Sequence, residues 1–85
     1  MILSFKIVFK HSVARDLKQV DKIQAERILK KIESELPEKA ETFSKLSGKF
    51  AGLRKFRIGD YRVIYSIIGD TSIILRISHR RESYR

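Results

Sequence analysis

The sequence predicts an α+β fold: one small domain in the order β-α-α-β-β-β, with a helical hairpin packed on one face of an antiparallel sheet. An 85-residue chain has room for one modest core, so residues 1–85 are expected to form a single domain. Apolar residues recur at helical spacing in the first half of the chain, and from Leu53 onward the apolar period changes to two. Gly-Asp pairs at 59–60 and 69–70 divide that second half into three strands.

The chain opens with a strand. Phe5, Ile7 and Phe9 alternate with Lys6 and Lys10, which is the two-residue period of a half-buried strand.

Two helices, or one helix broken near Asp21, are predicted to follow this strand. Ser12 can cap the first helix, and an apolar stripe at helical spacing runs from Val13 to Leu36. Pro37 is expected to stop the second helix from continuing in register. The segment from 38 to 52 is then a connector to the sheet.

The three C-terminal strands are predicted to form two consecutive hairpins. A two-residue loop at 59–60 places Phe56 opposite Val63 and Arg57 opposite Arg62, so that apolar and basic side chains separate onto two faces.

The second turn is predicted to be a three-residue loop, 69–71. A two-residue loop would bring Arg76 beside Val63 on the apolar face, whereas the longer loop aligns Ile77 with Val63. Helices are then expected to cover one face, formed by Phe56, Val63, Tyr65, Ile67, Leu75 and Ile77.

The opposite face of the sheet is predicted to be strongly basic. It gathers Lys55, Arg57, Arg62, Arg76 and Arg80, and no acidic residue is interleaved among them. Like charges directly opposite each other destabilise a sheet unless an anion lies between them, and guanidinium groups bind phosphate well. This face therefore predicts phosphate binding.

The overall composition favours a polyanionic partner. The formal net charge is +9, which steers nucleic acid, anionic membranes or acidic proteins toward the chain. The chain has no cysteine and only two histidines, so we expect no metal site, and it has no glycine-rich phosphate loop that would indicate a cofactor. We expect a soluble cytoplasmic protein, because the sequence contains no membrane-spanning run and no signal peptide.

The chain ends in "HRRESYR", which carries candidate catalytic groups. Histidine is the side chain that titrates nearest neutrality, so His79 is the best general acid or base in the sequence, and His11 is expected to be structural. Tyr84 can stack on a base or position a proton.

Two motifs carry a resemblance to a known family. The run "GLRKFRIGDYRVIY", followed by "ISHRRESYR", resembles the C-terminal half of RelE-type toxins of the RelE/ParE superfamily, which belong to type II toxin–antitoxin modules. The segment "SVARDLKQVDKIQAERILKKIESEL" resembles the helical hairpin of the same family, so the resemblance covers nearly the whole chain.

This resemblance implies a ribosome-dependent mRNA endoribonuclease that acts without a metal. An mRNA 2′-OH attacks the adjacent phosphate and leaves a cyclic phosphate and a free 5′-OH. A cognate acidic, RelB-like antitoxin holds the toxin inactive in a hetero-oligomer, and the ribosome and mRNA are further partners.

The resemblance also implies roles for individual residues. Arg62 and Arg80 are expected to hold the scissile phosphate, and Lys55 or His79 to take the 2′-OH proton. Arg57 or His79 supports the leaving oxygen, and Tyr84 is the terminal tyrosine of the family. Further RNA contacts are expected from Arg54, Arg76, Arg81 and Arg85. Arg54 is also an alternative counterpart for one of the basic pair Lys55 and Arg57, although strand alternation points it toward the helices.

Two alternatives remain open. The chain could be a ParE-like toxin that inhibits DNA gyrase by binding, without catalysis, or a degenerate toxin that serves only as an antitoxin-binding module. The "HRRESYR" tail favours the nuclease, because a gyrase inhibitor has no need of this group of residues.

Overall fold

The predicted order of elements is confirmed by the structure. A computed structural model describes residues 4–46, 48 and 52–79 of the chain. Its elements are β1 Lys6–Phe9, α1 His11–Lys18, α2 Lys22–Lys39, β2 Leu53–Ile58, β3 Tyr61–Ile68 and β4 Thr71–His79.

The four strands form one sheet in the order β1-β4-β3-β2. Strands β2, β3 and β4 form the predicted antiparallel meander, but β1 pairs with β4 in parallel. The sheet is therefore mixed rather than wholly antiparallel. The two helices carry the chain from β1, at one edge of the sheet, to β2, at the other edge, and such a crossover allows β1 to run parallel to its neighbour β4.

The first hairpin has the predicted register. Phe56 lies opposite Val63 and Arg57 lies opposite Arg62. Gly59 begins the turn with a φ of 56°, a left-handed conformation that glycine adopts without steric cost.

The second hairpin differs from the prediction, because its turn has two residues rather than three. Ile68 pairs with Thr71 directly across Gly69 and Asp70. The three-residue loop predicted from the sequence is therefore wrong.

A β-bulge brings the C-terminal part of β4 into the same register as the predicted three-residue loop would have done. Tyr65 pairs with Ile74, but the preceding residue of β3, Ile64, pairs with Arg76, so Leu75 is the extra residue. Ile77 consequently lies opposite Val63 as predicted. The core position expected for Leu75 belongs instead to Ile74, which is fully buried.

Both helices pack on one face of the sheet, as predicted. Ile28, Ile32 and Leu36 of α2 and Val13 of α1 are buried in one core. The sheet side of this core consists of Phe56, Ile58, Val63, Tyr65, Ile74 and Ile77.

The two helices are separate, and α2 begins at an N-cap formed by Asp21. The Asp21 carboxylate accepts a hydrogen bond from the Ile23 N–H at 3.0 Å. Pro37 does not end this helix, which continues to Lys39. A proline there removes only one intrahelical bond close to the helix end, and the Pro37 carbonyl accepts from the Phe5 N–H at 2.7 Å, which ties the last turn to the start of the sheet.

The predicted capping role of Ser12 is wrong, because this residue lies inside α1 and holds the edge of β4. The Ser12 hydroxyl donates to the Leu75 carbonyl at 2.6 Å. One helical turn later, Asp16 accepts from the Ile77 N–H at 2.8 Å. Strand β1 ends opposite Ile74, so these side chains supply the hydrogen bonds that a neighbouring strand would otherwise make. We call Ser12 and Asp16 the α1–β4 clamp.

None of the described helices is long and apolar enough to span a membrane.

Candidate phosphate-binding site

Three cations of β2 and β3 lie together on the face of the sheet opposite the helices. Arg57 is directly across from Arg62, and Lys55 lies two residues from Arg57 on the same face, opposite Ile64. Arg57 is exposed, while Lys55 and Arg62 are half-buried. We call Lys55, Arg57 and Arg62 the basic cluster.

The basic cluster lines a cavity of about 390 Å³ at the outer edge of β2. The connector supplies Phe43 and Ser44 to its wall, and the Phe43 ring packs on Phe56 with centroids 4.5 Å apart. The Lys55 N–H donates to the Ser44 carbonyl at 3.0 Å, which fixes the connector against the strand. An open cavity with three converging cations can hold a phosphate group and stabilise charge that develops on it.

Arg54, an expected RNA contact, faces the helices as strand alternation indicates. Its guanidinium donates to the carbonyls of Glu41 and Phe43, both at 2.9 Å, just beyond the end of α2. Its charge also lies close to Tyr65, whose hydroxyl donates to the Ala40 carbonyl. Burial raises the pKa of Tyr65 to about 12, and the Arg54 charge opposes this rise. Arg54 thus holds the connector, and RNA binding by it stays a prediction.

The backbone position of Arg76 belongs to the face of the basic cluster, but its side chain contacts Asp16 of the α1–β4 clamp. It is paired with Ile64, and its guanidinium donates to the Asp16 carboxylate at 3.0 and 3.3 Å. The side chain remains 61% exposed, so it can still contact a ligand.

His79 does not share the face of the basic cluster. His79 pairs with Tyr61, and the neighbouring pair is Arg62 with Ser78. Because side chains alternate along a strand, the side chains of His79 and Tyr61 lie on the opposite face of the sheet from those of Arg62 and Ser78. The His79 and Tyr61 rings meet edge to face, with centroids 5.3 Å apart at 85°. They line a second cavity, of about 410 Å³, beside α1.

Four further predicted site residues belong to the C-terminal motif. Arg80, Arg81, Tyr84 and Arg85 lie outside the described residues, so their roles stay predictions. Across residues 4–46, 48 and 52–79, no group of three or more histidine, cysteine or acidic side chains could hold a metal ion.

Sequence reasoning missed the residues that complete both cavities. Ser44 and Phe43 come from the connector and Asp16 from α1, none of which carries a recognisable motif. The spacing of Ser12 and Asp16, which places two polar residues one turn apart on α1, was the available signal for the clamp.

The fold is that of a small toxin of the RelE/ParE superfamily. The sequence matches the family model described as the ParE toxin of the type II toxin–antitoxin system, parDE, over residues 7–84. The chain therefore belongs to the ParE toxin family. A comparison with curated protein sequences gave no match.

Solved structures of toxin–antitoxin complexes are similar to this chain. A chain of the RelBE2 complex from Mycobacterium tuberculosis has a TM-score of 0.85 at 25% identity, covering 94% of this chain and 95% of that one. A chain of the RelB–RelE complex from Methanococcus jannaschii has a TM-score of 0.71 at 25% identity, covering 91% and 94%. The ParDE system of P. aeruginosa gives 0.69 at 16% identity, covering 89% and 96%, which shows the shared fold alone.

Proposed function

We propose that this type II toxin is a ribosome-dependent endoribonuclease that cleaves mRNA at the basic cluster. The observation that carries the proposal is the pairing of Arg57 directly across from Arg62, with Lys55 beside them on the same face. Guanidinium groups bind phosphate through paired hydrogen bonds, so three cationic side chains on one face can bind one RNA phosphate together.

The reaction that fits these groups is an internal transfer at the RNA phosphate. The 2′-oxygen forms a bond to phosphorus, the bond from phosphorus to the 5′-oxygen breaks, and the products are a cyclic phosphate and a free 5′-OH. Arg62 and Arg57 hold the phosphate and stabilise the additional negative charge of the transition state.

Two protons move in this reaction, one from the 2′-OH and one to the leaving 5′-oxygen. Lys55 is the group of the basic cluster that can accept the first, when its amine is neutral. His79 is the alternative, although it faces the other side of the sheet. We assign Arg80 to the phosphate and Tyr84 to base stacking or proton positioning, on the resemblance of the terminal "HRRESYR" to the nuclease toxins.

A second candidate function is inhibition of DNA gyrase by binding. The match of residues 7–84 to the ParE toxin family model favours it. Such a toxin needs a complementary surface but no phosphate-activating group, so it makes no use of the pairing of Arg57 with Arg62.

The likeness to chains of the RelBE2 and RelB–RelE complexes supports an antitoxin partner for this toxin. We propose that this partner is acidic, given the net charge of +9, and that the ribosome and its mRNA are the targets in a cytoplasmic setting.

The test is to incubate the purified toxin with programmed ribosomes and mRNA and to map new 5′ ends by primer extension. We expect discrete cleavage within the ribosome-bound codon and no effect on gyrase supercoiling in a parallel assay. Intact mRNA together with inhibited gyrase would replace the nuclease proposal with the second candidate.

A further inference from the structure

The second cavity lies between the end of α1 and the ends of β3 and β4. It measures about 410 Å³, within the range typical of small-ligand sites. Val20 of the α1–α2 turn and buried Ile77 of β4 give it an apolar part, and the Tyr61 and His79 rings add an aromatic wall. The cavity is therefore suited to a flat ring.

The polar groups of the cavity suit an anion attached to that ring. Arg15 and Arg76 contribute two positive charges, and Asp16 contributes one negative charge. The contact with Asp16 uses Nε and Nη2 of Arg76, so Nη1 remains to donate to a ligand. Gln19 adds a side-chain amide, which offers both a donor and an acceptor.

We propose that this cavity is a nucleotide subsite that takes one RNA base together with its phosphate. The base packs against Tyr61 and His79, the amide of Gln19 hydrogen-bonds to the base edge, and the guanidiniums of Arg15 and Arg76 bind the phosphate. The inference rests on the proposed function, because it makes RNA the ligand.

Arg76 connects this subsite to the basic cluster. Its backbone pairs with Ile64 on β3, its guanidinium contacts Asp16, and it lines the same cavity as His79. Tyr61 directly precedes Arg62 in β3, so the two sites lie at the same end of the sheet on its two faces. In the proposed complex, the RNA strand passes Arg76, with one nucleotide in the cavity and the scissile phosphate on Arg62.

The consequence is that Gln19 contributes to sequence preference. An amide that hydrogen-bonds to a base edge discriminates between bases, whereas the basic cluster contacts only phosphate and binds all sequences alike.

The experiment is a titration of the isotope-labelled toxin with AMP, GMP, CMP and UMP, and separately with inorganic phosphate, followed by NMR. We expect shifts at Gln19, Tyr61 and His79 that differ between the bases and are absent with phosphate alone. Gln19→Ala should reduce the differences between the bases, and Tyr61→Leu should weaken binding about tenfold through lost stacking. Gln24→Ala, an amide of α2 outside the cavity, is the matched control.

Two results would overturn the subsite. In one, inorganic phosphate reproduces the nucleotide shifts at the cavity. In the other, the nucleotides shift only residues of the basic cluster.

Failure of the subsite and failure of the nuclease proposal are separable, because primer extension on ribosomes measures cleavage independently. Cleavage by the wild type without base-dependent shifts at the cavity removes the subsite alone. Base-dependent shifts at the cavity in a toxin that leaves mRNA intact remove the nuclease proposal and keep the subsite. In an active toxin, Gln19→Ala should change the relative cleavage of different codons.

Discussion

Arg62 is the residue on which the proposed chemistry depends most, since it lies between Arg57 and Ser78 in the sheet. Arg62→Ala should reduce mRNA cleavage by about 10²–10³-fold, the usual cost of losing one donor to a developing charge. Stability should change less than cleavage, because the substitution opens no core cavity. Primer extension measures the first effect and thermal unfolding the second.

Arg27→Ala, which removes an exposed arginine from α2, is the matched control for charge. Equal losses in the two variants would mean that net charge, and not the geometry of the basic cluster, supports cleavage. Arg80→Ala is expected to resemble Arg62→Ala.

His79→Ala tests whether the histidine takes part from the opposite face of the sheet. If Lys55 accepts the 2′-OH proton, the variant should keep the pH dependence of the wild-type cleavage rate. A changed pH–rate profile, with a loss as large as that of Arg62→Ala, would transfer the role of base to His79.

Tyr65 should make the stability of the fold depend on alkaline pH. Burial raises its pKa from 10.0 to about 12, so the unfolded chain loses the phenolic proton first, and the stabilisation present below pH 10 is lost as pH rises toward 12. Two pKa units correspond to about 2–3 kcal/mol of unfolding free energy. Tyr65→Phe should remove this alkaline decline, whereas Tyr61→Phe should keep it. Urea unfolding at several pH values makes the comparison, and the same decline in all three proteins would contradict the assignment.

Ser72 carries a buried hydroxyl that has no hydrogen-bond partner within the described part of the chain, and it is 0% exposed. Ser72→Ala should therefore raise the free energy of unfolding by about 1 kcal/mol, or the melting temperature by about 4–8 °C. Ser66→Ala, a half-buried serine of β3, is the control and should be nearly neutral. A destabilised Ser72→Ala variant would reveal a partner for the hydroxyl.

Among the elements, the α1–β4 clamp should make a measurable contribution to stability. Asp16→Ala leaves the half-buried Ile77 N–H without its acceptor and should cost about 1–3 kcal/mol in urea unfolding. Arg76→Ala should cost less than about 1 kcal/mol, because an ion pair with a 61% exposed partner is screened by water. Glu33→Ala, on the exposed side of α2, is the control. If Arg76→Ala cost as much as Asp16→Ala, the stabilisation would come mainly from the ion pair and not from the hydrogen bond to the Ile77 N–H.

Hydrophobic periodicity was sufficient to predict the element order and the first hairpin. It was insufficient for the second hairpin, because a three-residue loop and a two-residue turn followed by a bulge at Leu75 both bring Ile77 opposite Val63. The two arrangements differ only in the pairing of the residues between the turn and the bulge. There the buried residue is Ile74, and packing of the whole core decides between two adjacent apolar residues.

The candidate site was predictable where it depends on strand alternation and not where it depends on tertiary packing. Lys55, Arg57 and Arg62 follow from the register of one hairpin. Alternation also assigns His79 to the face of Ile77, away from the basic cluster. The expectation that His79 acts together with the basic cluster came from its place in the terminal motif and not from its register. Ser44 and Asp16 enter the cavities only because the connector and α1 pack at opposite edges of the sheet.

At the scale of the whole molecule, the net charge of +9 should control association with the antitoxin. We expect toxin and acidic antitoxin to co-purify, with the antitoxin over the basic cluster. Their association rate should fall as salt rises, because screening shortens the reach of charge from about 10 Å at 0.1 M to 3 Å at 1 M. Stopped-flow mixing at several salt concentrations measures this, and a rate independent of salt would count against electrostatic steering. Dissociation should respond less, since contacts within the complex are partly desolvated.

By occupying two outer backbone groups of β4, the Leu75 carbonyl and the Ile77 N–H, the α1–β4 clamp should also protect the toxin from pairing with copies of itself. A long strand with an unpaired edge is a template for intermolecular β-pairing and aggregation, whereas β1, the strand beside β4, has only four residues and ends before the clamp begins. Ser12 and Asp16 therefore give α1 a role in solubility that is separate from any chemistry. Loss of both side chains should yield a chain that accumulates in inclusion bodies before its activity can be assayed.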